Sequence, residues 1–76
     1  MTVLNRIVID PAICHGKPVI RATRVPVTVA VGSLADGMTF EDVQREYDIT
    51  ADDIRAALRF LGELALQESF HPLPAA

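Results

Sequence analysis

Between Gly16 and Val27 the chain reads Gly-Lys-Pro-Val-Ile-Arg-Ala-Thr-Arg-Val-Pro-Val. No other stretch limits the possible folds as much. Pro18 and Pro26 each push the residue before them out of the helical region. Val19, Val25 and Val27 suit a pleated strand. Lys17, Arg21 and Arg24 have no acid beside them in sequence. An extended basic segment of this kind is not stable by itself. It must pair with its own hairpin, with a second subunit or with another partner. The chain therefore reads as a β-arm joined to helices, and as a binding protein rather than an enzyme.

The chain has 76 residues, enough for one domain. A domain of about 60 residues buries only about 60% of its unfolded surface. Half of these residues are apolar, a generous share for such a short chain. The surplus is expected to coat an interface between subunits, since oligomerisation is a common way to stabilise small folds. An alanine- and valine-rich core is the plainer alternative. Cys14 is the only cysteine, so no internal disulfide can form, and a reducing cytoplasmic setting fits. Residues 1–20 carry no apolar signal-peptide region. No apolar run approaches the roughly 20 residues of a membrane helix. The sequence reading places no cofactor and no membrane in this protein's chemistry.

The net charge of −3 is unevenly spread. Through Met38 there are four bases and two acids; from Thr39 there are three bases and eight acids. A free-standing DNA binder carries a basic stripe, and here only the arm has one.

The spacing predicts a first strand over residues 6–10 and a turn started by Asp10-Pro11 and closed by Gly16. A return strand is predicted over 18–21, and a second extended piece over 23–26. The first helix is expected over 27–36, with Gly37 as its C-cap. Gly32 inside it costs about 1 kcal/mol relative to Ala, which suggests another backbone packed closely there. The second helix starts after Thr39, a good N-cap followed by Glu41 and Asp42. Phe40, Val43 and Tyr47 form its inner face. Thr50 caps the third helix, with Asp52 and Asp53 in its first turn. Ile54, Ala57, Leu58, Leu61, Leu64 and Ala65 are expected to form its single buried stripe. This helix is expected to reach about residue 68, before His71-Pro72-Leu73-Pro74 ends it. The division is a β-arm over 1–26, expected to be the dimerisation element through edge-to-edge pairing with the arm of a second copy, a trihelical core over 27–68 and a tail over 69–76. The last two helices and their short turn have helix-turn-helix proportions.

Asp10-Pro11, Gly16-Lys17-Pro18-Val19-Ile20, Thr23-Arg24-Val25-Pro26-Val27, Gly37, Tyr47 and Ala56-Ala57-Leu58 together resemble the domain-of-unknown-function family numbered 433. The resemblance runs from about residue 7 to residue 61. It departs at Ala22, where Gly is common, and at Asp48, where Pro is common. The first departure requires a bend that tolerates a Cβ; the second suggests a looser turn between the last two helices. The resemblance implies a mainly α fold, with a homeodomain-like helix-turn-helix behind a small β-hairpin. It also implies an antitoxin role similar to VapB-type antitoxins, which bind and silence a PIN-like ribonuclease toxin and help to repress their own operon.

Lys17, Arg21, Arg24, Arg55 and Arg59 are the candidate DNA contacts. Arginines on an extended arm can reach phosphates or the minor groove. Arg21 and Arg24 could equally pair with the acids of a metal-dependent nuclease, or with an acid of their own fold. Lys17 also fits a solvated turn. Arg55 and Arg59 share a helix face, but Asp52 and Asp53 beside them repel phosphate. A solvated face with an Arg59–Glu63 pair is the competing account. Val19, Ile20, Val25 and Phe60 are the candidate contacts to a second subunit, with core packing the alternative for Phe60. Cys14-His15 offers too few ligands for a metal and no oriented catalytic pair. The competing functions are a stand-alone transcriptional regulator and a structural dimerisation module.

Overall fold

Ile7 and Ile20 stand opposite each other in adjacent antiparallel strands, and both are fully withdrawn from solvent. In the computed structural model, which describes residues 3–4 and 6–67, that pair joins the sheet to the helices. The strands are β1 (Val3–Leu4), β2 (Ile7–Val8) and β3 (Val19–Ile20), antiparallel in the order β1-β2-β3. The helices are α1 (Val27–Ala35), α2 (Phe40–Tyr47) and α3 (Ala51–Gln67), each packed on the other two. The fold is mainly α behind a small N-terminal sheet, as the sequence predicts. The first predicted strand is shorter than residues 6–10, and β1 was not anticipated. The predicted tail lies outside the described residues. No helix of the described residues is long and apolar enough to cross a membrane.

The outer edge of β3 is closed by its own chain. The Ile20 amide donates to the Val25 carbonyl at 2.8 Å and the Val27 amide to the Pro18 carbonyl at 3.0 Å. A bridge links Val19 to Pro26. The predicted second extended piece therefore folds back on β3. Its four-residue loop ends at Arg24, whose φ is 60°. The left-handed bend falls on Arg24, and Ala22 is not asked to adopt one. The earlier loop, between β2 and β3, holds Cys14, His15 and Gly16 at positive φ, Gly16 as predicted.

This back-folding places the expected subunit contacts within the single chain. Val19 and Ile20 are 0% exposed within the single chain. Ile20 joins the main core, while Val19 is buried on the opposite face of the strand. Phe60 is buried in the core, and Val25 packs against it. Ile20, Val25 and Phe60 thus pack within their own fold, and Val19 is withdrawn from solvent in the single chain.

Local chemistry sets the helix ends. At the end of α1 the Gly37 amide bonds the Leu34 carbonyl and the Met38 amide bonds the Ser33 carbonyl, with Gly37 at φ 104°. That is a Schellman motif, and only glycine enters its left-handed position without strain. Thr39 and Asp42 form a reciprocal capping box at the start of α2. Thr50 and Asp53 form a second one at the start of α3, with bonds of 3.0 and 3.1 Å. Ser33 bonds the Val29 carbonyl and the Tyr47 hydroxyl, each at 2.9 Å, tying α1 to α2. Tyr47→Phe removes that link while keeping the ring. It is expected to cost about 1 kcal/mol and to lower the thermal midpoint by roughly 4–8 °C.

Two packing expectations need correction. A Cβ built on Gly32 would meet nothing within 4 Å, so no backbone packs closely there. On α3, Ile54, Ala57 and Phe60 are buried and Leu61 is half-buried, but Leu58, Leu64 and Ala65 are exposed. The cause is length. With 17 residues α3 runs about 25 Å, whereas α1 and α2 have 9 and 8 residues. The core beneath α3 stops near Leu61, and the rest of the helix projects beyond it.

Candidate functional site: the cationic arm and its junction with α3

The arm meets the bundle at one charged junction. Arg6 leads into β2 and reaches the first turn of α3. Its guanidinium donates to Asp53 Oδ1 at 3.1 Å and lies 3.8 Å from Asp52 Oδ2. Asp52 also accepts from Arg55 at 2.7 Å. Asp53 is only 4% exposed, so its charge is tolerable only because it is fully bonded. One oxygen accepts from Arg6 and the other from the Thr50 amide. Burial pushes the Asp53 carboxyl up, but the Thr50 amide, the Arg6 hydrogen bond, the Thr50 side chain and the Arg6 charge together hold it below its ordinary 3.8. At α2, the amide and side chain of Thr39, opposed by slight desolvation and helped by Arg45, hold Asp42 below the same value.

Above this junction is an open cleft of about 270 Å³ lined by Arg6, Arg21, Ala22 and Asp53. Arg21 is placed there by the sheet, its amide donating to the Arg6 carbonyl at 2.8 Å. Arg24 is exposed at the left-handed end of its loop, with its amide bonded to the Ile20 carbonyl. Lys17 is exposed after the short 3-10 turn at Cys14–Gly16.

The basic residues therefore divide into two groups. Arg6, Arg45 and Arg55 are paired with carboxylates. Lys17, Arg21, Arg24 and Arg59 have no carboxylate oxygen within 4 Å among the described residues, and all four are exposed. The expected Arg59–Glu63 pair is absent. Three of the four unpaired cations belong to the arm. Arg55 is paired with Asp52 on the exposed surface of α3. The sequence reading overlooked Arg6 and the depth of Asp53. The Thr50/Asp53 spacing marks a helix cap, but nothing local shows that residue 6 will abut it.

Among the described residues, no three of His, Cys, Asp and Glu converge to hold a metal ion. The Cys14 and His15 side chains are exposed.

Comparison with known proteins matches residues 7–61 to the family described as "Protein of unknown function (DUF433)". One curated relative is the "Putative antitoxin VapB45" of Mycobacterium tuberculosis. It is 38% identical over 52 residues, which are 68% of this chain and 22% of the relative. The chain thus corresponds to about a fifth of that protein's length. Among solved structures, a DUF433 member from Anabaena variabilis superposes with a TM-score of 0.74 and 33% identity. The match covers 83% of this chain and 63% of that one. The Rv2018 protein of Mycobacterium tuberculosis superposes with a TM-score of 0.63 and 38% identity, covering 68% of this chain and 24% of that one.

Proposed function

This chain belongs to the DUF433 family, and from that premise we propose that it is an antitoxin-like binding protein. It captures a PIN-like ribonuclease toxin and, with the toxin bound, helps to hold operator DNA. One observation carries this reading. Lys17, Arg21 and Arg24 stand exposed on the arm without carboxylate partners among the described residues, while the bases of the bundle's acidic half, Arg59 apart, are neutralised in place. An unneutralised cationic ribbon is built for an anionic surface, such as the acidic residues of a metal-dependent nuclease or a phosphate backbone. The similarity to a protein named as an antitoxin supports the toxin partner. The net charge of −3 argues against tight DNA binding by the free chain. Asp52 and Asp53, in the first turn of α3, repel phosphate there as well. The protein acts as a homodimer in the cytoplasm.

Co-expression with the product of an adjacent gene tests the partner. Capture of that product and rescue of growth are expected; failure of both rejects the reading. Mobility shifts across a salt series test the arm. Replacing Lys17, Arg21 and Arg24 together by alanine is expected to lower the salt slope of DNA binding by the complex, by up to about 2.7 on logarithmic axes. Arg24→Gly separates charge from folding. Relief of the left-handed strain is expected to raise stability by about 1 kcal/mol, while binding of the anionic partner falls.

A stand-alone regulator is the second reading. It is favoured by α2 and α3 being joined through only Asp48, Ile49 and Thr50, the proportions of a helix-turn-helix. It requires steep salt-dependent binding to its own promoter with no partner present.

A further inference from the structure

The projecting half of α3 carries three observations with no explanation inside the single chain. Leu58 is 40% exposed and Leu66 is 86% exposed, large apolar groups left in water about two turns apart. Gly62 lies midway between them. A Cβ added at Gly62 would meet nothing within 4 Å among the described residues, so no contact there requires a glycine, although glycine weakens a helix interior relative to alanine. Arg59 and Glu63 are spaced i, i+4, the right distance for a pair along one face, yet they form none.

We propose that this face is covered by the same face of a second copy, the two α3 helices running antiparallel and crossing at Gly62. The inference deepens the homodimer reading given above and rests on it. Leu58, Gly62 and Leu66 fall at i, i+4 and i+8, a single ridge along the helix. With the twofold axis at Gly62, Leu58 lies against the partner's Leu66 and the reverse. A missing side chain at the crossing point lets two backbones approach closely. The charges select a second copy over an unrelated helix. Arg59 and Glu63 occupy the neighbouring ridge on one flank. In an antiparallel pair equal flanks face each other, so Arg59 meets the partner's Glu63 twice, once on each side of the axis. An isologous contact needs this self-complementarity. The β3 edge offers no comparable surface, because Val19 and Ile20 are buried and residues 25–27 close it. The contact is short, about 12 Å of helix, so the association is expected to be weak and dependent on concentration.

Sedimentation equilibrium on the full chain over a wide concentration range is the test, with circular dichroism to confirm that each variant is folded. The wild type is expected to associate reversibly. Leu66→Glu is expected to weaken association at least tenfold without changing the spectrum. Gly62→Ala is expected to weaken it several-fold while raising the thermal midpoint of the dilute protein. Arg59→Glu and Glu63→Arg are each expected to be monomeric alone and to associate when mixed, since the mixture restores both ion pairs. A wild type that stays monomeric at every concentration overturns the proposal together with the homodimer reading. A wild type that dimerises but is insensitive to Leu66→Glu and Gly62→Ala, with no gain on mixing the charge variants, overturns the proposal and leaves the homodimer standing.

Discussion

Asp53→Ala is expected to destabilise the fold by about 2–3 kcal/mol. Loss of the reciprocal cap at α3 costs about 1 kcal/mol. Loss of the carboxylate also removes the deeper of Arg6's two acidic partners in the first turn of α3. Removing one member of a buried pair costs 3–5 kcal/mol, but the Arg6 side chain is 45% exposed, so water replaces part of what it loses. For a chain of this length the whole stability is roughly 4–11 kcal/mol, so the expected loss is a large fraction of it. In urea, with a slope of about 1 kcal/mol per molar for a small protein, the midpoint is expected to fall by roughly 2–3 M. Asp53→Asn keeps an acceptor for the Thr50 amide and is expected to cost less.

The same residue predicts an acid dependence. The folded carboxyl is held below 3.8, so the folded state binds its proton less readily than the unfolded state. The stability this contributes is complete above the unfolded value and is lost as pH falls through the folded one. Urea midpoints of the wild type are therefore expected to be level above about pH 5 and to decline below pH 4. In Asp53→Asn that decline is expected to be shallower. Equal acid slopes in the two proteins would place the sensitivity elsewhere, Asp42 being the next carboxyl held low.

Asp48→Pro is expected to cost about 3 kcal/mol. Asp48 ends α2 in the left-handed region, at φ 56°, and its amide donates to the Gln44 carbonyl. Proline holds φ near −65° and has no amide hydrogen, so it fails both requirements. The following Ile49 amide bonds the same carbonyl at 3.3 Å, and Ile49 is buried at 4% exposure. The turn is thus closed by two bonds and an apolar anchor, not loosened by the missing proline. Asp48→Gly keeps both bonds and removes the left-handed strain, and is expected to gain about 1 kcal/mol. Opposite shifts of the thermal midpoint, roughly 4–8 °C for each kcal/mol, distinguish the two variants. A neutral Asp48→Pro would show that the turn adopts another closure.

The helices were legible because their signals are local. Thr39, Gly37 and Thr50 act within a turn of themselves, so their cap roles follow from residue type and spacing. The arm was also legible as extended and basic, since proline and β-branched residues act on their own backbone. The partners of that arm were not. Whether β3 closes on residues 25–27 or on a second chain depends on a four-residue loop with Arg24 held left-handed, a conformation arginine rarely takes. The buried stripe of α3 is shorter than its apolar periodicity for a related reason. Periodicity shows which residues share a face, but not how far the neighbouring elements extend beneath it.

The amino-acid order by itself determined the three helices, the ends of the first two, the start of the third, the extended cationic arm and the acidic bundle that follows, because each arises from forces acting over a few residues. Only the tertiary structure decided which charges are neutralised. Arg6 and Asp53 are 47 residues apart, and their meeting depends on the path of the whole chain. Among the described residues Lys17, Arg21 and Arg24 are left without carboxylate partners, and the reach of α3 past its neighbours leaves Leu58 and Leu66 in water.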